Sequence, residues 1–258
     1  MNRIIAVTNQ KGGVGKTTTS VNLAASLAVT KRRSLLIDLD PQGNATMGSG
    51  VEKKTVNGSS YDVLVGEKSL TECLITEESV GYDLLPGNAD LTGAEVGLLD
   101  AADPETRLRE ALEAIRSNYA YIIIDCPPSL NMLTVNALVA ADAVVIPTQC
   151  EYYALEGLSG LLETINKIQK VLNPKLKIEG LLRTMFDSRN NLANEVSQQL
   201  LEYFGDKVYQ TIIPRNVRLA EAPSHGLPVI TYDKSSAGAL AYLSLAGELM
   251  RKEDARDL

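Results

Sequence analysis

The clearest pattern along the chain is a series of short apolar runs, rich in β-branched residues and separated by longer stretches with helical spacing. Runs of four to eight such residues, bounded by turn residues, are typical of buried strands. We therefore expect strands at 4–8, 34–40, 82–86, 121–125, 143–147, 178–182 and 208–213. The run at 121–125 is the most continuous, which predicts a central parallel strand covered on both faces.

The stretches between these strands favour helices. The spacing of apolar residues predicts helices at 20–27, 91–99, 133–140, 155–172, 192–204 and 237–250, with one or two short ones within 61–74. Pro104 suits the first turn of a further helix that continues to Arg116. We expect 44–60 to be a mobile surface segment and 251–258 a polar tail. The alternation predicts an α/β fold in a single domain, 1–258, with a doubly wound, mostly parallel sheet and helices on both faces.

Composition narrows the class of protein. The sequence has no run of about 18 uncharged apolar residues, so no transmembrane helix is expected. Cys73, Cys126 and Cys150 are widely spaced and form no metal-ligand motif, which favours a reducing, cytoplasmic location. The net charge of −7 taken alone argues against nucleic acid, because such affinity comes mostly from Lys and Arg neutralising phosphates. A local basic patch stays compatible with it, since the placement of charge matters more than the sum.

The first predicted strand leads into a glycine-rich loop, Asn-Gln-Lys-Gly-Gly-Val-Gly-Lys-Thr-Thr at 9–18, and a predicted helix follows. This order of elements is the context of a phosphate-binding loop, in which glycines let backbone N–H groups converge and the helix N-terminus adds partial positive charge. Lys16 would reach the β- and γ-phosphates of a nucleotide, and the hydroxyl of Thr17 would bind Mg²⁺. The predicted nucleotide-binding residues of the loop include Gly12, Gly13, Val14, Gly15, Lys16, Thr17 and Thr18.

The loop departs from the strict Walker A consensus near its start. Gln10 stands where the consensus has glycine, and Lys11 adds a second lysine directly after it. The segment Lys-Gly-Gly-Val-Gly-Lys-Thr-Thr resembles the signature of the deviant Walker A ATPases. The alternative is a glycine-rich turn without a ligand, which leaves the two lysines and two threonines at this spacing unexplained.

Carboxylates follow two of the predicted strands. Asp125 ends the most continuous one, so it is expected at the carboxyl edge of the sheet, where ligands bind in open α/β sheets. We interpret Asp125 as the Walker B residue that reaches Mg²⁺, and the alternative is an aspartate that caps the next helix. Asp40 is the candidate for positioning the attacking water or its Mg²⁺. Asp38 is expected to support the loop or to be purely structural.

Five segments together resemble the ParA/Soj chromosome-partitioning ATPases, and the resemblance runs essentially end to end. The segments are the loop at 11–18, Asp-Leu-Asp-Pro-Gln-Gly-Asn at 38–44, Ile-Ile-Ile-Asp-Cys-Pro-Pro-Ser at 122–129, Gln-Cys-Glu-Tyr-Tyr-Ala-Leu-Glu-Gly at 149–157 and Ile-Pro-Arg-Asn-Val-Arg-Leu-Ala-Glu-Ala-Pro-Ser-His-Gly at 213–226. The first and third occur throughout the deviant Walker A group, whereas the last two are specific to ParA.

The resemblance implies a P-loop NTPase of the deviant Walker A type: a weak, Mg²⁺-dependent ATPase that forms a homodimer around ATP. Lys11 would reach the phosphates of the partner subunit, as an arginine finger supplies charge in trans, instead of being a solvated loop lysine. Pro214 and Asn216 would contact the adenine. The predicted catalytic residues are thus Lys11, Lys16, Asp40 and Asp125, and the predicted metal ligands are Thr17, Asp40 and Asp125.

The resemblance also implies that the dimer binds double-stranded DNA without sequence preference. Arg189 and Arg218 match the DNA-contacting arginines of the family. Where some relatives carry extra arginines, the segment 233–238 has only Lys234 as a basic residue. With few phosphate contacts, binding is expected to be weak, dependent on dimerisation and steeply reduced by salt.

The leading hypothesis is a cytoplasmic, nucleoid-associated partitioning switch whose ATP hydrolysis a ParB-type centromere-binding partner stimulates. The alternative is a MinD-like membrane-associated positioning ATPase, but the tail 251–258 alternates in charge and lacks an apolar face, so no membrane partner is expected. A reductase resembling the nitrogenase iron protein would need a second, suitably placed cysteine besides Cys126. A metabolic kinase or a ligase resembling dethiobiotin synthetase stays open on fold alone, with no substrate motif in its favour.

Overall fold

The computed structural model describes residues 2–98 and 101–254. Eight strands in these residues form one sheet: β1 (Arg3–Val7), β2 (Ser34–Asp38), β3 (Ile75–Glu77), β4 (Tyr82–Leu85), β5 (Tyr121–Asp125), β6 (Ala143–Gln149), β7 (Lys177–Phe186) and β8 (Val208–Pro214). Their order across the sheet is β3-β4-β2-β5-β1-β6-β7-β8, and every neighbouring pair is parallel except β3 with β4. The predicted mostly parallel sheet is therefore confirmed.

Twelve α-helices lie in the same described residues: α1 (Lys16–Val29), α2 (Asn44–Gly48), α3 (Ser60–Val65), α4 (Leu70–Cys73), α5 (Ala94–Gly97), α6 (Arg107–Glu113), α7 (Met132–Ala140), α8 (Ala154–Val171), α9 (Asn191–Phe204), α10 (Val217–Glu221), α11 (Val229–Tyr232) and α12 (Ala237–Asp254). Short 3₁₀ turns occupy Ala89–Gly93, Arg116–Asn118, Gly205–Lys207 and Ala222–His225. None of these helices combines the length and apolar character needed to cross a bilayer.

The sheet separates two hydrophobic clusters, because successive side chains of a strand point to opposite faces. Ile4 and Ala6 of β1 belong to the cluster that α3, α6, α7, α8 and α9 cover. Ile5 and Val7 belong to the other cluster, which α1 and α12 cover. Every residue of β2 and β5 is buried, as a parallel strand with helices on both faces requires.

The region after β2 differs from the sequence prediction. β2 ends at Asp38, so Asp40 lies in the following turn and not in the strand. The segment 44–60, expected to be a mobile surface segment, begins with α2, whose Ala45 and Thr46 are fully buried. β3 was not predicted, since an antiparallel edge strand of three residues is too short to show an alternating pattern.

Two predicted helices have different bounds. α6 begins at Arg107, because Pro104 lies in a turn that starts at Asp103, whose φ is 52°, and that the N–H of Thr106 closes onto the carbonyl of Asp103 at 3.0 Å. The stretch at 91–99 is a 3₁₀ turn followed by the four-residue α5, and residues 99 and 100 lie outside the described part.

The polar tail predicted from residue 251 continues α12 as far as Asp254, and residues 255–258 lie outside the described part. The added helical turn is anchored by Glu253, which pairs with Arg3 at 2.6 Å and accepts a hydrogen bond from the hydroxyl of Tyr121. These contacts tie the end of α12 to the starts of β1 and β5.

Candidate functional site

The glycine-rich loop connects β1 to α1 at the carboxyl edge of the sheet. Asn9 fixes its entrance: Nδ2 donates to the carbonyl of Pro147 at 2.8 Å, and Oδ1 accepts from the backbone N–H of Lys11 at 3.0 Å. Gly13 and Gly15 have φ of 73° and 86°, in the left-handed region that glycine adopts without strain. Because Gly15 is the N-cap of α1, the chain passes directly from the loop into the helix.

The loop and the first turn of α1 carry a row of backbone N–H groups without acceptors. From Gly12 to Thr18, none of these groups has a hydrogen-bond acceptor within residues 2–98 and 101–254. The first helical bond runs from the N–H of Thr19 to the carbonyl of Gly15, at 2.9 Å. Unpaired N–H groups at the N-terminus of a helix, with the dipole of that helix behind them, form a site for phosphate.

Lys16 lies buried beside this row, with 7% of its surface exposed. Its Nζ donates to the carbonyl of Lys11 at 3.2 Å. Burial lowers the pKa of Lys16, and the negative charges of Asp125 and Asp40 act against that shift. The loop therefore holds a cation inside the site, close to both carboxylates.

Asp125 is fully buried at the end of β5 and accepts two hydrogen bonds from α1. The Thr17 hydroxyl donates to Oδ2 and the Ser20 hydroxyl to Oδ1, each at 2.8 Å. Burial raises the pKa of Asp125, and the nearby Asp38 carboxylate raises it further. The structure thus brings Thr17 and Asp125 together, as the sequence predicts. Sequence reasoning missed Ser20, although its position four residues after Lys16 puts it one helical turn further on.

Asp38 and Asp40 have different environments. The fully buried Asp38 carboxylate accepts from the backbone N–H of Asp40 at 3.1 Å, and from the N–H and hydroxyl of Thr46 at 2.8 and 2.7 Å. Burial raises the pKa of Asp38. Asp40 accepts from the N–H of Gln42 at 2.9 Å, and its charge acts on Lys16. Asp38 therefore holds the turn in place, whereas the charge of Asp40 acts on Lys16 of the loop.

The described residues contain no group of three or more His, Cys, Asp or Glu side chains that could hold a metal ion by themselves. Mg²⁺ bound with a nucleotide needs only one or two protein ligands, because phosphates and waters complete its coordination. A P-loop Thr together with a Walker B Asp is the combination that P-loop NTPases use for it. The hydrogen-bonded pair of Thr17 and Asp125 therefore fits Mg²⁺ bound with a nucleotide.

Lys11 lies at the outer rim of the loop. Its Nζ forms an ion pair with Glu151, and the two side chains are 36% and 47% exposed. Glu151 precedes Tyr152 and Tyr153, whose rings meet edge to face at 5.0 Å and whose surfaces are largely exposed. Exposed tyrosines are enriched where proteins meet, so the rim of the loop is suited to a protein contact.

A cavity of about 170 Å³ lies beside the loop, between the ends of β7 and β8. Its walls include Gly15, Thr184, Pro214 and Asn216. The Thr184 hydroxyl donates to the carbonyl of Val14 at 2.8 Å, which ties β7 to the loop. Asn216 also caps α10 through its side chain. The two residues predicted to contact adenine thus share a cavity with the loop.

The three predicted DNA-binding residues are exposed and follow the ends of β7 and β8 along the chain. Arg189 follows β7, Arg218 lies in α10, and Lys234 follows α11. Sequence reasoning missed the exposed Arg215, which directly follows β8 and whose charge acts on the same carboxylate, Asp187, as that of Arg189. We call Arg189, Arg215, Arg218 and Lys234 the basic cluster.

The remaining reactive residues lie in the core or pack on other side chains. Cys73, Cys126 and Cys150 are all buried and reduced, and burial raises the pKa of the Cys126 thiol. His225, the only histidine of the sequence, stacks on Tyr232 with ring centroids 4.9 Å apart. Neither arrangement resembles a metal centre or a nucleophilic site.

Comparisons with known proteins agree with this geometry. A family model described as an AAA domain matches residues 2–178. The sporulation initiation inhibitor protein Soj of Bacillus subtilis is 57% identical over 249 residues, which cover 96% of this chain and 98% of Soj. The chromosome partitioning protein ParA of Myxococcus xanthus is 53% identical over 251 residues, which cover 97% of this chain and 89% of ParA.

A solved structure extends the likeness to the fold. Cobyrinic acid a,c-diamide synthase from Mycobacterium smegmatis, with bound ADP and magnesium, superposes with a TM-score of 0.87 at 38% identity, covering 98% of this chain and 96% of that one. The partitioning proteins are more similar in sequence and match over nearly their whole length. This chain belongs to the Soj/ParA family of chromosome-partitioning ATPases.

Proposed function

We propose that this chain is an ATP-driven switch in DNA partitioning. MgATP binds at the glycine-rich loop and stabilises a homodimer, which binds double-stranded DNA without sequence preference. Hydrolysis, stimulated by a ParB-type centromere-binding protein, releases the DNA. The observation that carries the proposal is the row of unpaired N–H groups from Gly12 to Thr18, beside the buried Lys16 and the pair of Thr17 and Asp125.

Different residues of the site would bind the phosphates, the metal ion, the water and the base of the nucleotide. The N–H row and Lys16 would bind the β- and γ-phosphates, and Thr17 and Asp125 would hold Mg²⁺, whose charge would offset that of the phosphates. Asp40, in the turn after β2, orients the attacking water. Pro214 and the other residues of the cavity beside the loop hold the base.

Dimerisation completes the site by supplying Lys11 from the other subunit. In one protomer Lys11 pairs with Glu151 at the rim, beside the exposed Tyr152 and Tyr153. Contact with a second copy along this rim brings each Lys11 to the phosphates of the partner, where a further cation stabilises the transferring phosphoryl group. Hydrolysis by one protomer alone is therefore slow.

The contacts of α12 favour this proposal over a membrane-associated positioning ATPase. Such an ATPase needs a C-terminal helix with an apolar face free to enter lipid. Tyr242, Leu245 and Leu249 of α12 are buried in the cluster that also contains residues of α1. The apolar face of this helix is therefore already used within the protein.

The proposal is tested by measuring DNA binding with ATP, with ADP and without nucleotide, over a series of salt concentrations. We expect binding only with ATP, equal for unrelated duplex sequences and steeply weaker as salt rises. Lys16→Ala serves as the control that cannot respond to ATP. ATP-dependent dimerisation without DNA binding would contradict the DNA output, and ATP-dependent sedimentation with liposomes would favour the membrane alternative.

A further inference from the structure

The two arginines that are proposed to bind DNA already form ion pairs with carboxylates of this chain. Asp187, directly after β7, accepts from Nε and Nη2 of Arg189 at 2.9 and 2.8 Å, so the two side chains form a two-pronged pair. The same carboxylate accepts from the backbone N–H of Arg189 at 3.0 Å. These hydrogen bonds lower the pKa of Asp187 to about 2, so the carboxylate is charged at any physiological pH. The Arg189 side chain is 89% exposed, yet two donors of its guanidinium are occupied.

Arg218 is held in a similar way by two carboxylates. Its Nη1 donates to Glu221 at 2.8 Å, and its Nε lies 3.3 Å from Asp233. Asp233 is itself fixed by the backbone N–H and the hydroxyl of Ser235, at 3.2 and 2.8 Å. Arg218 therefore pairs with one carboxylate at the end of α10, Glu221, and with one in the turn between α11 and α12, Asp233.

The other two members of the basic cluster lack such partners. Arg215 and Lys234 are exposed and form no ion pair with any residue in 2–98 or 101–254. The cluster thus contains two cations open to solvent and two whose donors carboxylates occupy. A phosphate binds a guanidinium through the same donors as a carboxylate, so the two compete directly.

We propose that Asp187, Glu221 and Asp233 are internal competitors for DNA phosphate and set the affinity of the dimer for DNA. In the free protein they occupy Arg189 and Arg218, and each arginine contacts DNA only after its carboxylate has been displaced. This inference rests on the proposed function, because it concerns the affinity of the DNA surface. The competition would make DNA binding weak, and weak binding would allow the protein to leave the DNA quickly after ATP hydrolysis.

Asp187→Asn is the direct test, since it removes the charge of a partly exposed side chain and keeps an oxygen that can accept from the backbone N–H of Arg189. Each arginine released to one phosphate strengthens binding about fivefold at 0.15 M salt, so the two copies in a dimer give about 25-fold. The slope of log affinity against log salt should steepen by about 1.8, from two added phosphate contacts. Asp233→Asn should act in the same direction on Arg218.

Glu163→Gln is the matched control. Glu163 pairs with Lys167 at 2.9 Å within α8, and both side chains are about 70% exposed, so this change alters net charge equally without releasing an arginine of the cluster. We expect little change in DNA affinity or in salt slope. A gain as large as that of Asp187→Asn would show a general charge effect and would overturn the inference.

A double-mutant cycle separates release of Arg189 from relief of repulsion. In an Arg189→Ala background, Asp187→Asn should lose most of its gain, because only the weaker charge interaction of Asp187 with Arg215 is left to relieve. A gain that persists there in full would overturn the inference, as would wild-type DNA binding that Asp187→Asn fails to strengthen. Absence of DNA binding by the wild type and every variant, in ATP at low salt, would instead overturn the proposed function itself and the inference with it.

Discussion

Ser20→Ala removes one of the two hydroxyls that hold the buried Asp125. The lost bond, 2.8 Å from Oγ to Oδ1, leaves a fully buried carboxylate oxygen without that donor. A buried acceptor left without its donor costs about 1–3 kcal/mol. We therefore expect urea unfolding to show a loss of about 2 kcal/mol in the free energy of unfolding. Asp125 also accepts a hydrogen bond from Thr17, and these two residues are the proposed Mg²⁺ ligands. Without Ser20 the Asp125 carboxylate is less well positioned, so the Mg²⁺ concentration for half-maximal ATPase activity should rise about tenfold, as when supporting contacts of metal ligands are removed.

The same helix provides the control. Ser26 is also fully buried, but its hydroxyl has no hydrogen-bond partner among the described residues. Ser26→Ala removes an unpaired polar group, so stability should be unchanged or rise by about 1 kcal/mol, with no change in Mg²⁺ dependence. Equal stabilities for the two variants, or an unchanged Mg²⁺ requirement for Ser20→Ala, would refute the assignment of Ser20 as the residue that positions Asp125.

Three further changes probe the loop and its supports. Lys16→Ala should abolish nucleotide binding measured by equilibrium dialysis, and retained ATP affinity would rule out the loop as the phosphate site. Asp40→Ala should preserve ATP binding and dimerisation measured by light scattering while stopping hydrolysis, and normal turnover would make Asp40 merely structural. Thr46→Val removes a buried hydrogen-bond donor to Asp38 and should lower the free energy of unfolding, measured by thermal denaturation, by about 2–3 kcal/mol. Thr55 is exposed, so Thr55→Val should leave the free energy of unfolding almost unchanged.

The central strands and long helices could be predicted because their patterns are local. β5 is five residues long and buried throughout, so its sequence is a nearly continuous apolar run, and this run alone predicts the strand. α2 carried no such signal, since only three of its five residues are buried, and the contacts of Thr46 with Asp38 are polar and not apolar. The start of α6 was misplaced because Pro104 is compatible with a first turn, while the positive φ of Asp103 depends on the surrounding fold.

The loop residues of the site were predictable because a phosphate-binding loop is contiguous in sequence. Ser20 and Arg215 were missed because their importance comes from neighbours far along the chain: Asp125 for the first, and the segment after β7 for the second. The pairing of Arg189 with Asp187 spans only two residues, but an Asp two positions before an Arg is common in turns and indicates nothing alone.

The balance of charge explains why DNA binding would depend on dimerisation in a chain whose net charge is −7. The basic cluster has four cations, and Asp187, Glu221 and Asp233 face two of them, so each protomer offers an excess of four minus three, or one positive charge. Affinity for DNA multiplies with each phosphate contact, so one such surface gains little at physiological salt. In the proposed dimer, two surfaces joined rigidly would bind the same duplex together, and the second contact would form at a high effective concentration. On the proposed function, the step that ATP would control is therefore the pairing of two weak surfaces, and on each surface Arg189 and Arg218 would still exchange a carboxylate for a phosphate.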